Sequence, residues 1–216
     1  HCAAAGVVLQ EAFMYRVHPQ WQRTKQLVDD GALGELRAVQ AWFSYFNDDP
    51  HNIRNVAEFG GGALMDIGCY PISVARWLFD AQPDDVQSLM HRDPSTGVDT
   101  LTSAALRFGT GQVTFTVSTQ AEPYQRVHVV GTTGRIEVEI PFNAPTDRPT
   151  RIFVTSGGRS PTDPATTVEE FERVDQYALQ ADAFARAVIE ERSAPLPPDD
   201  AVANMSVIDA VRAAAT

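Results

Sequence analysis

The fold is decided by residues 100–120, which read TLTSAALRFGTGQVTFTVSTQ. Apolar and polar side chains alternate in both halves of this stretch, and a period of two predicts strands that bury one face. The turn Gly109-Thr110-Gly111 separates the two halves. A turn this short indicates antiparallel neighbours, because parallel strands need a long crossover. We therefore predict two antiparallel strands, Thr100–Phe108 and Gln112–Gln120.

The same period of two extends in both directions. Turns at 121–123 and 131–134 separate further alternating runs. These runs predict strands at Val86–His91, Arg126–Val130, Arg135–Ile140, Arg151–Thr155 and Val168–Arg173. Nearer the start of the chain, strands are predicted at Val7–Phe13 and Glu35–Phe46. The stretch 156–167 is rich in Pro, Thr, Ser and Gly and is predicted to be irregular.

Helices are predicted before and after the run of strands. Pro19 favours a helix start, because its missing N–H would have no partner at the first helical position. The predicted helices are Pro19–Asp30, Ala63–Phe79, Asp175–Arg192 and Asp199–Ala214. This order of elements predicts an α+β fold with a large, mostly antiparallel open sheet and helices on one face. The other face would meet solvent or a second subunit.

The first residues predict an incomplete element. His1–Gly6 resembles the last turn of a helix that ends at Gly6. Because a protein rarely begins on the final turn of a helix, we expect this chain to be the C-terminal part of something longer. Residues 1–17 would then be the remnant of a preceding domain, consisting of a helix end and a strand. Residues 18–198 would form the main α/β domain, and residues 199–216 a closing helix.

Composition excludes several classes of function. The formal net charge of −11 makes nucleic acid a poor partner. No apolar run approaches the roughly 20 residues of a membrane-spanning helix, so no membrane partner is predicted. Cys2 and Cys69 resemble free thiols in a reducing compartment, and we expect a cytoplasmic protein. The five histidines lack metal-ligand spacing, so no metal site is predicted.

The densest chemical signal runs from Gly60 to Tyr70 and reads GGGALMDIGCY. Three consecutive glycines allow the backbone to approach a ligand or a neighbouring segment. Asp66 and Tyr70 follow at a spacing of four, which places both side chains on one helix face. A carboxylate beside a phenol can move a proton to or from a substrate hydroxyl. Each residue alone is more typical of packing, whereas for the pair packing and chemistry are about equally supported.

Two weaker clusters also contain polar side chains. Tyr15, Arg16 and His18 follow the first predicted strand, at the edge where open sheets place their ligands. Asn52 and Arg54 lie in the loop before the glycines. For both clusters, a solvated surface loop is the favoured interpretation from spacing alone.

Residues 10–20 and 52–71, which read QEAFMYRVHPQ and NIRNVAEFGGGALMDIGCYP, resemble the glucose–fructose oxidoreductase / inositol dehydrogenase / MocA family. The resemblance is greatest to the branch of glucose–fructose oxidoreductase, xylose dehydrogenase and dihydrodiol dehydrogenase. It implies an N-terminal Rossmann domain that binds NAD or NADP, followed by a domain built on a large open sheet. Residues 1–17 would be the remnant of that Rossmann domain, and residues 18–198 the substrate and oligomerisation domain.

The resemblance also implies roles for the polar residues. Asp66 and Tyr70 would be the catalytic pair, with Tyr70 as general acid/base toward the oxidised hydroxyl and Asp66 orienting or assisting it. The other residues would line the cleft for a carbohydrate-like substrate and its cofactor: Asn52 and Arg54 for the substrate, and Tyr15, Arg16 and His18 for the cofactor.

The chain departs from the family pattern in one respect. Relatives carry a Glu-Lys-Pro segment whose lysine contacts cofactor and substrate, and this chain has neither that segment nor a Gly-x-Gly-x-x-Gly phosphate loop. We therefore expect NAD or NADP to bind mainly in a half that is absent, and the chain alone to be inactive. A homodimer or tetramer through the open sheet is expected. The alternative is a non-catalytic sheet module used for dimerisation, and the sequence upstream of His1 would separate the two hypotheses.

Overall fold

The computed structural model describes residues 1–157 and 165–216. An eight-stranded sheet is its largest element. The strands are β1 (Leu36–Phe46), β2 (Asp85–Arg92), β3 (Asp99–Phe108), β4 (Gly111–Ser118), β5 (Gln120–Gly131), β6 (Gly134–Val138), β7 (Thr150–Ser156) and β8 (Thr166–Phe171). They lie in the order β2-β3-β4-β1-β5-β6-β7-β8. β1 is parallel to β4 and the other neighbouring pairs are antiparallel, which confirms the predicted mostly antiparallel open sheet.

The helices agree with the four predicted ones. They are α1 (Pro19–Asp29), α2 (Cys69–Phe79), α3 (Gln176–Ile189) and α4 (Pro198–Ala213). α1 begins with Pro19 in its first turn, behind the N-cap residue His18. α3 begins behind Asp175, whose carboxylate accepts hydrogen bonds from the backbone N–H groups of Tyr177 and Ala178. Short 3₁₀ turns occur at Ala3–Ala5, Met14–Val17, Ile53–Asn55 and Ala57–Phe59.

One face of the sheet is buried and the other is open. In β3 the side chains of Thr102, Ala104 and Leu106 are buried, whereas those of Leu101 and Ala105 are exposed. The helices cover the buried face, where α2 packs against β1, α4 against β2 and α1 against β7. Burial of apolar surface stabilises the fold by about 25 cal/mol per Å² removed from water. The period of two in the sequence therefore predicts which side chains form the core.

The connection between β4 and β5 crosses the end of β1. Thr119 alone joins these two strands, although they lie on opposite sides of β1. The backbone N–H of Asn47 donates to the carbonyl oxygen of Thr119 at 2.8 Å. This crossing holds the carboxyl end of β1, which bears Tyr45, in place.

The strand predicted over Val7–Phe13 is wrong. In the described part of the chain these residues pair with no strand, and Val7 and Leu9 are 55% and 50% exposed. An apolar run forms a strand only where a neighbouring strand accepts its backbone hydrogen bonds, and none of the described strands lies beside it. The helix end predicted over His1–Gly6 is a 3₁₀ turn, Ala3–Ala5. The structure therefore does not confirm a Rossmann remnant in residues 1–17, and the predicted domain division stays a prediction.

Two further boundaries differ from the prediction. Residues 121–123 lie inside β5 instead of in a turn, and Pro123 is accommodated where the register against β1 shifts between Ser44 and Phe46. The helix predicted from Ala63 begins with a π-turn, Leu64–Gly68, and continues as α2. Of the irregular stretch predicted over 156–167, residues 158–164 lie outside the described residues.

Candidate active site

Two side chains converge on the carboxylate of Asp66 at the carboxyl end of β1. Arg54 donates from Nε to Oδ1 at 2.7 Å, and the Tyr45 hydroxyl donates to Oδ2 at 2.5 Å. Charge-assisted hydrogen bonds of this kind are short and directional, so they hold the carboxylate in one orientation. Burial raises the pKa of Tyr45, and the hydrogen bond to Asp66 raises it further, so its hydroxyl remains a donor.

Gly61 and Gly62 pack the loop that carries Arg54 against the start of the helical segment. A Cβ on Gly61 would lie 2.5 Å from the Arg54 carbonyl oxygen, and a Cβ on Gly62 would collide with the Asp99 carboxylate. The backbone N–H of Gly62 also donates to the Arg54 carbonyl at 2.8 Å. The sequence predicted that these glycines let either a ligand or a neighbouring segment approach the backbone. In the structure, neighbouring segments of the chain make that approach.

Asp99 anchors the π-turn that carries Asp66. Its side chain is buried, and Oδ2 accepts hydrogen bonds from the Leu64 backbone N–H at 2.7 Å and from the Thr102 hydroxyl at 2.8 Å. A carboxylate at this position satisfies an N–H that has no partner within the helix. Asp99 thereby ties the start of the helical segment to β3.

Tyr70 follows Asp66 by one helical turn, and aromatic rings hold it in place. Phe13 and Phe43 contact its ring edge-on, with 5.3 and 5.8 Å between ring centroids, and Phe142 lies at 5.3 Å in a tilted arrangement. Such contacts between aromatic rings contribute beyond the area that they bury. The ring of Tyr70 is therefore fixed, and its hydroxyl has a defined position.

The environment of Tyr70 keeps its phenol protonated. Burial raises the pKa of Tyr70, and the neighbouring groups Cys69, Tyr177 and Asp66 raise it further. A phenol that acts as a base needs a nearby cation that lowers its pKa. Burial also raises the pKa of the adjacent Cys69 thiol to about 12, so this thiol is a poor nucleophile at neutral pH.

Asp66 and Tyr70 open into one cleft of about 330 Å³, a size typical of small-molecule sites. The structure thus brings together Arg54, Asp66 and Tyr70 of the predicted set. It adds polar side chains that sequence reasoning missed, namely Tyr45, Asn47, Asn143 and Tyr177. The place of Tyr45 at the carboxyl end of a predicted strand could have indicated it, whereas no local signal marks Asn143 or Tyr177.

The three residues predicted to bind the cofactor do not line this cleft. Tyr15 is fully buried and donates its hydroxyl to Ser73 Oγ at 2.8 Å. The Arg16 guanidinium lies over Trp77, 4.2 Å from the ring centroid. His18 is buried and caps the first turn of α1. Within the described residues they support the core and the first helix, and their cofactor role stays a prediction.

We expect His18 to make the stability of the fold depend on pH. Burial lowers its pKa to about 4 in the folded protein, against about 6.5 in the unfolded chain. Above about pH 6.5 the imidazole is neutral in both states. Below that pH the unfolded state binds a proton first, so acid favours unfolding until the folded imidazole titrates near pH 4. This group alone should reduce the free energy of unfolding by about 2 kcal/mol between about pH 7 and about pH 5.

Denaturant unfolding at the two pH values measures this loss. The His18→Asn variant is the control, because asparagine keeps an N-cap acceptor without a titrating ring. The variant should lose about 2 kcal/mol less than the wild type over the same pH interval. Equal losses in both proteins would show that His18 does not titrate in this way.

Asn52 positions Arg54 and does not line the cleft. Its Oδ1 accepts a hydrogen bond from the Arg54 backbone N–H at 3.0 Å and so caps the turn Ile53–Asn55. Its predicted contact with substrate stays a prediction. The described structure gives it the task of presenting Arg54 to Asp66.

Residues 1–157 and 165–216 contain neither a candidate metal site nor a candidate membrane-spanning helix. No group of three or more histidine, cysteine or carboxylate side chains there could hold a metal ion. None of the helices in that part of the chain is long and apolar enough to cross a membrane.

Comparison with known proteins gives a family and relatives of known chemistry. A family model described as the GFO/IDH/MocA C-terminal domain matches residues 21–137. A D-xylose 1-dehydrogenase (NADP(+)) from Haloferax volcanii is 35% identical over 213 residues, which cover 98% of this chain and 63% of that protein.

Two solved structures share the fold. A 3-ketoreductase from Actinomadura kijaniata, in complex with NADP and TDP-benzene, has a TM-score of 0.87 and 27% identity, over 99% of this chain and 64% of that one. An aldose-aldose oxidoreductase from Caulobacter crescentus, complexed with glycerol, has a TM-score of 0.88 and 25% identity, over 99% of this chain and 63% of that one. The chain thus spans less than two thirds of the length of these proteins.

Proposed function

The chain belongs to the GFO/IDH/MocA family, and on this premise we propose that the whole protein is an NAD(P)-dependent oxidoreductase acting on a sugar or polyol hydroxyl. This chain would be its substrate-binding C-terminal part. The observation that carries the proposal is the cleft in which Arg54 and Tyr45 hold Asp66 beside Tyr70. The relatives support it, since one is a D-xylose dehydrogenase and one is a reductase bound to NADP.

The described residues do not form a site for the dinucleotide phosphates. They include no glycine-rich phosphate loop after a strand, and Tyr15 and His18 are buried. We infer that NAD(P) is held mainly by other parts of the whole protein. When bound, the nicotinamide supplies or accepts a hydride, whereas proton transfer and substrate orientation fall to this chain.

Tyr70 is the proposed proton donor to the substrate oxygen. Because its pKa is raised, the phenol carries its proton at neutral pH and can donate it to a carbonyl oxygen that becomes a hydroxyl. Oxidation requires the reverse transfer, and a cation close to Tyr70 in the whole protein would lower its pKa for that task. Asp66, fixed by Arg54 and Tyr45, can accept a hydrogen bond from a substrate hydroxyl and orient it.

The proposal is tested with the whole protein and a panel of sugars and polyols. The panel contains D-xylose, D-glucose and glycerol, each assayed with NAD⁺ and with NADP⁺. At least one combination of substrate and cofactor should give saturable turnover, measured by the absorbance of the reduced nicotinamide. A folded protein that binds NADPH or NADH but turns over no sugar or polyol in either direction would contradict the substrate class. A protein that binds neither nucleotide would contradict the enzyme and favour the non-catalytic dimerisation module.

We also propose that the open face of the sheet binds a second copy of the chain. This face carries Trp42, Leu89 and Tyr124, which are 40%, 66% and 49% exposed and border a concavity of about 880 Å³. Exposed apolar patches of this kind mark interaction sites. Arg126 and Glu137 form an ion pair at 3.2 Å on the same face. A second copy related by a two-fold axis would therefore bring both a positive and a negative side chain to the contact.

The Trp42→Glu variant should be monomeric. Trp42 is in β1, which lies near the middle of the sheet. A contact between two copies would bury the new carboxylate without a partner, which would cost several kcal/mol of association free energy. Size exclusion with light scattering measures the mass, and the wild type should be a dimer or tetramer. Ile189→Glu is the matched control, because Ile189 is 79% exposed at the end of α3 and does not border the concavity. A monomeric wild type, or an unchanged mass for Trp42→Glu, would contradict the open-face contact.

A further inference from the structure

We propose that Asn143 and Tyr177 form a preorganised wall of the cleft and select the substrate by hydrogen-bonding neighbouring hydroxyls of a single sugar ring. The inference rests on the proposed function and deepens it. Both side chains line the cleft that holds Asp66 and Tyr70. Both are exposed, so both are free to meet a ligand.

The segment before Asn143 is fixed by buried side chains. Gln20 Nε2 and Trp21 Nε1, from α1, donate to the carbonyl oxygens of residues 140 and 141 at 2.8 and 2.6 Å. Gln176 Nε2, from α3, donates to the carbonyl oxygen of residue 142 at 2.9 Å. All three donors are at most 1% exposed. A segment outside any strand or helix therefore has three consecutive carbonyls held by buried donors, which removes its conformational freedom.

A further contact from β5 orients Asn143 itself. Gln125 Oε1 accepts hydrogen bonds from the backbone N–H groups of Phe142 and Asn143 at 2.8 and 3.1 Å. The ring of Phe142 is fully buried and stacks on Phe43 with 5.0 Å between centroids. None of these contacts uses the side-chain amide of Asn143. The amide therefore has no partner among these contacts, and Asn143, which lines the cleft, stands on a backbone held by several hydrogen bonds.

Tyr177 is carried by the same arrangement. It follows Gln176 in the first turn of α3, where Asp175 Oδ1 accepts a hydrogen bond from the Tyr177 backbone N–H at 2.8 Å. Since Gln176 binds the carbonyl of residue 142, the start of α3 and the segment bearing Asn143 are joined. The two backbone segments that carry Asn143 and Tyr177 are therefore held together, as a selective site requires.

Their chemistry matches adjacent hydroxyl groups. An amide offers both donors and an acceptor, and a phenol offers one of each. Once a bound ring covers these side chains, an analogue that lacks the hydroxyl leaves the protein group without a partner, and the site rejects it. The cleft, at about 330 Å³, has room for one pentose or hexose ring, which is the part of the substrate that we assign to it.

The test compares a sugar that the whole protein turns over with its monodeoxy analogues. The wild type should prefer the parent sugar to at least one analogue by about tenfold or more in kcat/KM. The Asn143→Ala variant should raise KM for the parent sugar about tenfold, keep kcat within about twofold, and lose the preference against that analogue. Tyr177→Phe should do the same for a different analogue. Thr146→Ala is the matched control, since Thr146 is exposed in the same loop and does not line the cleft.

The outcomes separate this inference from the function on which it rests. Unchanged KM and unchanged discrimination in Asn143→Ala, with turnover intact, would overturn the selecting wall and leave the oxidoreductase standing. A fall in kcat at constant KM would also overturn it, because the residue would then act on the chemical step. A wild type without nicotinamide-dependent turnover would overturn the proposed function itself.

Discussion

Replacing Tyr70 with Phe in the whole protein should lower kcat by about 100-fold or more. The phenol hydroxyl is the proposed proton donor, and general acid–base catalysis typically contributes about 10²–10⁴-fold. Phenylalanine keeps the ring that packs against Phe13, Phe43 and Phe142, so the fold should be unaffected. The substitution removes the weak hydrogen bond that the hydroxyl donates to Met14 Sδ at 3.8 Å. Steady-state kinetics at saturating cofactor check this, and KM for the sugar should change little.

Two controls make the result specific to proton transfer. The thermal midpoint of the Tyr70→Phe variant should match the wild type, which excludes a packing defect. The pH profile of kcat should lose the limb that reports the phenol, because the variant has no group to titrate there. Near-normal turnover in the variant would remove Tyr70 from the mechanism.

The Gly62→Ala variant should lose about 3 kcal/mol or more of stability. Gly62 has a φ of +122°, which alanine rarely adopts and which costs about 1–3 kcal/mol. The new Cβ would also push aside the Asp99 carboxylate, which accepts the Leu64 N–H and is buried. Breaking a buried hydrogen bond adds about 1–3 kcal/mol. Urea denaturation measures the total, and the loss should be accompanied by reduced activity because the π-turn carries Asp66.

The Gly60→Ala variant separates the two contributions. Gly60 has a φ of +74°, but nothing lies within 4 Å of the position that its Cβ would occupy. It should therefore lose only about 1–2 kcal/mol, from the backbone alone. Equal losses in the two variants would mean that the contact with Asp99 contributes nothing.

Local patterns predicted most of the fold. The period of two around residues 100–120 predicted both the strands and the face that is buried, because alternation is a property of neighbouring residues. The same logic failed at Val7–Phe13, because a strand also depends on a partner that local pattern does not reveal. It failed at Pro123 because an irregular register accommodates a proline within β5.

The candidate site was predicted only where its residues are close in sequence. Asp66 and Tyr70 share a helical segment, so their spacing placed them together. The pairing of Arg54 with Asp66 depends on how the loop folds back over Gly61, which spacing does not encode. Asn143 comes from a distant part of the chain, and only the tertiary fold brings it to the cleft.

The single residue Thr119, which carries the chain over the end of β1, sets the order in which the sheet can assemble. β4 and β5 are nearly contiguous in sequence, but Thr119 alone is shorter than the two-residue turn that joins paired strands of a tight hairpin. The native sheet needs β1 between them, which places them about two strand spacings, or roughly 10 Å, apart. Each of the two strands therefore pairs with β1, a strand about 70 residues upstream, and long-range pairing of this kind is slow. We expect the pairing of this central strand to limit the refolding rate of the domain.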